Sequence, residues 1–248
     1  MRRPLLAGNM KMFKTQREAE ELAEGLASSL SGVKDRDICM CPPYASLHVL
    51  REVFDGTNIA LGAQNLHWEK EGAFTGELSA EMLKDAGCSY IIVGHSERRQ
   101  YFGETETTVN KKIKAVHRVH LKPIMCVGET LQERESGSTF NIIETQLTRG
   151  LADIRLTSPD QLVVAYEPVW AIGTGKTATT DQAQEVHVFI RKKLAGLFKN
   201  KAEEIRILYG GSVKPENIKG LMLQADIDGA LVGGACLKAD QFTAIVKY

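Results

Sequence analysis

Eight times along the chain a short apolar run is followed by a polar or glycine-rich loop, and most of these loops lead into an amphipathic helix. That alternation limits the fold more than any other feature of the sequence. The runs are Leu5 to Met10, Asp37 to Cys41, Ile59 to Ala63, Tyr90 to Val93, Pro123 to Val127, Leu162 to Tyr166, Ile205 to Tyr209 and Ile227 to Val232. Each is short and apolar, as a strand buried on both faces must be. Between them apolar residues recur at helical spacing, as in Ala19, Leu22, Leu26 and Leu30 behind the capping box Thr15-x-x-Glu18. Leu47, Leu50 and Phe54 repeat the pattern, as do Val109, Ile113 and Val116. So do Phe140, Ile143, Leu147 and Leu151, and then Val186, Phe189, Ile190, Leu194 and Leu197. Strands alternating with helices build a parallel sheet with right-handed crossovers. Eight such units in 248 residues, with no linker or low-complexity stretch, predict one α/β domain over residues 1–248, a (β/α)8 barrel. A doubly wound open sheet is the alternative, but its first strand should end in a G-x-G-x-x-G turn. Gly8-Asn9-Met10-Lys11 stands there instead.

Charge narrows the partners. Lys plus Arg and Asp plus Glu are 31 each, a balance that argues against nucleic acid or an anionic membrane as the main partner. No apolar run approaches a membrane span, and Leu5-Leu6-Ala7 is cut short by Gly8 and Asn9, well below the apolar core of a secretory signal. The five cysteines (Cys39, Cys41, Cys88, Cys126 and Cys236) are odd in number and include no C-x-x-C pair. A reduced, cytoplasmic protein is expected.

In a barrel, chemistry sits on the loops that follow the strands. The strand ends carry Asn9 and Lys11, His95, Glu167, Gly210-Gly211-Ser212 and Gly233-Gly234, from runs one, four, six, seven and eight. Asn9 and Lys11 are two apart on a strand, so both should point into the barrel mouth while Met10 faces the helices. Glu167 ends its run, and Pro168 forces it out of the helical region. Val169, Trp170 and Ile172 followed by Gly173-Thr174-Gly175 read as a hinged lid over that carboxylate. The glycine pairs free backbone N–H groups just ahead of helices, the usual phosphate cradle of loops seven and eight. The ligand so implied has a phosphate at one end and a reacting centre between a carboxylate, an imidazole and an ammonium. Two weaker signals fail. Gly175-Lys176-Thr177 has Trp170 where a P-loop needs its first glycine. His117-x-x-His120 lies at the wrong end of a strand without acidic or thiol partners, so no metal site is expected.

Gly8-Asn9-Met10-Lys11, Val93-Gly94-His95-Ser96-Glu97-Arg98-Arg99, Cys126-Val127-Gly128-Glu129, the stretch from Ala165 to Lys176, Tyr209-Gly210-Gly211-Ser212-Val213 and Gly229 to Ala235 together resemble triosephosphate isomerases over the whole chain. Barrel catalysis by a carboxylate base and a neutral imidazole is the established pattern of that family, and the roles below are what the resemblance implies. They are the TIM barrel fold and interconversion of dihydroxyacetone phosphate and glyceraldehyde 3-phosphate through an enediolate, without metal or organic cofactor. Glu167 is the implied base, His95 the electrophile with a lowered pKa, and Lys11 the ammonium that offsets substrate charge. Asn9 orients Lys11. Gly173, Ser212, Gly233 and Gly234 bind phosphate, with Glu97 and Ser96 in support. The resemblance also implies a homodimer through the 64–78 loop, with Thr75 reaching the partner's site. Met10 stands where the family usually has Trp, and Phe13 where it has Asn or His. The reading in competition is a non-catalytic barrel that binds a phosphorylated sugar, which needs the glycine cradle but not Glu167, His95 and Lys11 together.

Overall fold

A computed structural model of the chain describes residues 2–172 and 178–248. Its elements run β1 (Leu5–Asn9), α1 (Gln16–Leu30), β2 (Asp37–Cys41), α2 (Leu47–Phe54), β3 (Ile59–Ala63), α3 (Ala80–Asp85), β4 (Tyr90–Val93), α4 (Ser96–Phe102) and α5 (Glu106–Arg118). They continue β5 (Lys122–Val127), α6 (Leu131–Glu135), α7 (Thr139–Gly150), β6 (Val163–Tyr166), α8 (Thr180–Phe198), β7 (Arg206–Tyr209), α9 (Ile218–Met222), β8 (Gly229–Val232) and α10 (Ala239–Val246). Every strand pairs in parallel with the next, and β1 pairs with β8 from Leu5↔Gly229 to Gly8↔Val232. The sheet therefore closes into a (β/α)8 barrel, which excludes the open-sheet alternative.

Strand alternation sorts the core into two layers. Leu5, Ala7, Cys39, Cys41, Cys126, Ala165 and Leu208 point into the barrel. Leu6, Met10, Met40, Val127, Val164 and Tyr166 point outward against the helices. Small side chains at many inner positions suit the narrow lumen, which accounts for Cys39 and Cys41, their Sγ atoms 3.9 Å apart. The capping box read from the sequence holds. Thr15 and Glu18 form the reciprocal cap of α1, and Thr179 with Gln182 does the same for α8. Reciprocal caps also open α5 (Thr105 with Thr108) and α6 (Thr130 with Glu133). Phe140 on α7 and Leu197 on α8, read on the apolar stripes of their helices, are instead exposed.

β8 begins at Gly229, two residues later than its apolar run. Gly229 has φ +145, and a Cβ there would stand 1.9 Å from the Leu5 carbonyl oxygen, so only glycine lets β8 approach β1 closely enough to close the ring. Asp228 turns away to take hydrogen bonds from the Ile207 amide (2.9 Å) and Arg191 (2.6 Å). On α8, His187 is fully buried; its Nδ1 lies 3.0 Å from the Asp226 carbonyl and its ring faces Tyr166 and Tyr209. Among the described residues no helix is long and apolar enough to cross a membrane.

Candidate active site

Glu167 is placed by backbone before its side chain matters. Its N–H donates to Val127 O at 2.7 Å, continuing the β5–β6 ladder one residue past β6, and the Gly210 N–H reaches Tyr166 O at 2.7 Å. The carboxylate is therefore delivered at the barrel mouth, where it is 2% exposed. One oxygen, Oε1, lies 2.9 Å from His95 Nε2, and Oε2 accepts the Ser96 amide at 2.9 Å. Burial alone would push this carboxyl up, but the imidazole, the Ser96 amide and the Lys11 charge together hold it below the ordinary glutamate range. Gly210 completes the seat, since a Cβ there would come within 2.9 Å of Glu167 Cγ.

His95 is the N-cap of α4, and its Nδ1 accepts the Glu97 amide at 3.2 Å. An amide hydrogen aimed at Nδ1 leaves that nitrogen unprotonated, so the ring proton sits on Nε2 and donates to Glu167. The family resemblance implied a lowered pKa for this group, and the opposite direction holds here. Burial disfavours the imidazolium, but the Glu167 carboxylate against Nε2, with Glu97 behind Nδ1, outweighs it and raises the pKa above the ordinary histidine value. Helix α4 does meet the ring as expected; the adjacent carboxylate overrides it.

Lys11 does not lie on β1, which stops at Asn9. It follows the strand with φ +52, a left-handed turn, and its N–H donates to Asn9 Oδ1 at 3.0 Å. Strand alternation is thus not what brings Lys11 to the mouth; the Asn9 side chain holds the turn that does. Gln64, at the end of β3, adds a hydrogen bond to Lys11 O at 2.8 Å. The ammonium pairs with Glu97 Oε1 at 2.6 Å. Ser96 contributes its backbone amide to the site, whereas Glu97 contributes its carboxylate.

Asn9, Lys11, His95 and Glu167 share one pocket of about 790 Å³ with Gly210, Gly211, Ser212, Gly233 and Gly234. Gly211 has to lack a side chain, because a Cβ would lie 2.3 Å from the Tyr209 hydroxyl. Gly233 leads into the short 3-10 turn Gly234–Leu237, with Lys11 Cε 3.4 Å from where its Cβ would stand. Gly173, Thr174 and Gly175, the far end of the lid read from the sequence, lie outside the described residues. Thr75 is exposed on the 64–78 loop and does not line this pocket. It borders a second cavity with Phe74, Arg98 and Phe102.

One group that the sequence reading passed over is Glu129, fully buried after β5. Its Oε1 accepts Tyr166 OH at 3.1 Å, Trp170 Nε1 at 2.9 Å and Arg134 at 3.1 Å, so it holds the first turn after Glu167 against the barrel. A carboxylate at a strand end was its signal. His117 Nε2 lies 2.8 Å from the Gln161 carbonyl, and among the described residues no group of three His, Cys, Asp or Glu is placed to hold a metal ion.

A family model described as triosephosphate isomerase matches residues 4–248. Curated proteins named triosephosphate isomerase are similar along the full length: 57% identical in Endomicrobium trichonymphae, covering 100% of this chain and 99% of that one. In Citrifermentans bemidjiense the identity is 58%, with the same coverage. A crystal structure of triosephosphate isomerase from Bartonella henselae superposes with a TM-score of 0.91 at 40% identity, covering 98% of this chain and 97% of that chain. With a barrel of this topology and relatives of this identity over its whole length, the chain belongs to the triosephosphate isomerase family.

Proposed function

We propose that this chain, as a single barrel domain over residues 1–248, interconverts dihydroxyacetone phosphate and D-glyceraldehyde 3-phosphate. One observation carries the reading: Glu167, His95 and Lys11, from three different strand ends, meet in the pocket that also holds the glycine pairs after β7 and β8. A barrel that only bound a phosphosugar would need the glycines and not the three charged or ionisable groups together. The phosphate sits against Ser212, Gly233 and Gly234, with Gly173 joining from the lid, and Lys11 balances its charge.

In the forward direction Glu167 takes a proton from the substrate carbon next to the carbonyl. The electron pair moves into the carbon–carbon bond while His95 Nε2–H donates to the carbonyl oxygen. His95 Nε2 then takes a proton from the hydroxyl on the carbon that Glu167 deprotonated, and Glu167 returns its proton to the former carbonyl carbon. The new carbonyl forms, both side chains end as they began, and the chain's own groups suffice without a cofactor. The substrate must first displace the 2.9 Å contact between Glu167 and His95. That contact is a main cause of the lowered Glu167 pKa, while the burial that opposes it stays. Substrate entry therefore makes the carboxylate a stronger base and relieves the His95 imidazole of the carboxylate that favoured its charged form. A coupled assay with glyceraldehyde 3-phosphate tests the reading: turnover is expected, and its absence in folded protein leaves only the phosphosugar-binding barrel.

The same reading includes a homodimer through the 64–78 loop and a cytoplasmic location. Five buried free cysteines fit a reducing compartment. Thr75 and Phe74 are exposed at the tip of the loop, and Phe102 is exposed beside them. Exposed apolar side chains around one cavity are a surface for a partner. Thr75→Arg brings a charge into that contact and shifts the sedimentation coefficient from dimer to monomer at micromolar concentration, with most activity lost. A Thr75→Arg protein that stays dimeric, or a monomer with full activity, removes the 64–78 loop from the assembly.

A further inference from the structure

Glu167 separates two spaces. In front is the substrate pocket; behind is a cavity of about 340 Å³ bordered by Gly94, Ser96, Gly128, Gln146 and Val169. His95 and Ser96 hold the carboxylate at rest. Once substrate displaces the His95 contact, its position depends more on the backbone that carries it. That backbone is seated on the segment after β5. The Glu167 N–H donates to Val127 O at 2.7 Å and the Val169 N–H to Glu129 O at 3.1 Å. Between these two carbonyls lies Gly128, pressed so closely that a Cβ on it would stand 1.8 Å from Glu167 O.

In an extended segment, alternate residues send their N–H and C=O groups to opposite sides. Val127 and Glu129 face β6, so Gly128 faces the side of β4, and β4 has already ended at Val93. Its two backbone groups would be left without a strand to bind. Gln146 on α7 takes the place of that strand. The Gly128 N–H donates to Gln146 Oε1 at 2.8 Å, and Gln146 Nε2 donates to Gly128 O at 3.0 Å. Only one orientation of the amide satisfies both bonds. The glutamine is nearly buried, on the same face of α7 as Ile143 and Leu147, where an apolar residue would otherwise serve.

We infer that Gln146 is a positioning residue for the base: its side-chain amide locks the Gly128 peptide against which the Glu167 backbone is seated, and so fixes how far the carboxylate reaches into the substrate pocket. The inference rests on the reading of Glu167 as base. Gln146→Met keeps the volume and removes both hydrogen bonds. Misplacing a catalytic group by ~1 Å can cost on the order of 100-fold in rate, so kcat is expected to fall about 10- to 100-fold with KM within about threefold. Gln146→Glu supplies a readout that a loss of packing would not move. Its protonated carboxyl can both accept the Gly128 N–H and donate to Gly128 O, as the amide does, whereas the ionised form can only accept and repels the carbonyl. The ratio of its kcat to that of the parent protein is therefore expected to drop about tenfold as pH rises through the ionisation of the new carboxyl. A folded Gln146→Met protein with kcat within twofold of the parent overturns the inference, as does a Gln146→Glu ratio that is flat with pH. Should Gln146→Met not fold, the pH dependence of Gln146→Glu decides alone. Glu167→Asp run in parallel separates the two readings. If that variant keeps the parental rate, the base assignment itself fails; if it is slow while Gln146→Met is not, only the positioning role fails.

Discussion

Glu167→Asp lowers kcat by about 100-fold while KM changes little. The substitution keeps the charge and withdraws the carboxylate by one methylene, and displacement of a reacting group by ~1 Å costs on the order of 100-fold. The geometry leaves no easy compensation. Gly210 and Gly128 fill the space beside the base with backbone, and a Cβ at either position would collide with it. The aspartate therefore cannot regain reach by a backbone shift towards the substrate pocket without disturbing β5 or β7. At rest the shorter side chain also loses its hold on His95 Nε2 and the Ser96 amide, both at 2.9 Å in the parent. Under the proposed function, substrate affinity rests on Lys11 and the glycine pairs, which the change does not touch, so steady-state kinetics should show the loss in kcat. A kcat within a factor of two of the parent would remove Glu167 from the chemistry.

Stability falls in acid through a group remote from substrate. Burial, with the Arg191 charge adding to it, pushes His187 down to about 4 from an ordinary 6.5, against the Asp226 carbonyl, which favours the charged form. Above pH 6.5 neither folded nor unfolded chain protonates this ring, and it costs nothing. Between 6.5 and 4 the unfolded chain takes up a proton that the fold refuses, so stability declines as pH falls. The full loss, reached below the folded pKa, is roughly 3 kcal/mol at ~1.4 kcal/mol per pH unit. His187→Asn keeps a donor for the Asp226 carbonyl and removes the titration. Its urea midpoint, measured at fixed protein concentration, should be lower at pH 7 because of the smaller side chain, yet much less dependent on pH between 4 and 6.5. An unchanged slope would assign the acid sensitivity to other groups.

The barrel was legible because its signal is repeated. Eight apolar runs and their helical stripes are each weak alone, and closure follows once their number is known. Within the site, legibility followed strand ends. His95 and Glu167 sit where their runs stop, and they meet. Lys11 was placed in the right pocket for the wrong reason, because strand alternation says nothing about a left-handed turn held by the Asn9 side chain. The direction of the His95 pKa was misjudged because a sequence shows the helix that caps the ring but not the distance to a carboxylate 72 residues away. Gln146 was missed on the α7 stripe between Ile143 and Leu147, although a polar residue at a core position is itself a signal. What it binds is a peptide whose ladder partner has ended, and that depends on the relative lengths of two strands.

The pairing of β1 with β8 has a consequence for synthesis. Gly8 finds its partner on β8 only when Val232 has been made, and at ~5–20 residues per second the ribosome needs on the order of 10–50 s to get there. Through that interval the nascent chain carries β1 as an unpaired edge, the kind of edge that recruits stray strands. Lys11 is then already translated, but the glycine wall that will face it does not exist. Long-range closure of this kind slows folding and lengthens exposure. Catalytic competence therefore arrives in one late step, and a chain stalled before β8 offers the cell's folding machinery a hazard with no partial activity to offset it.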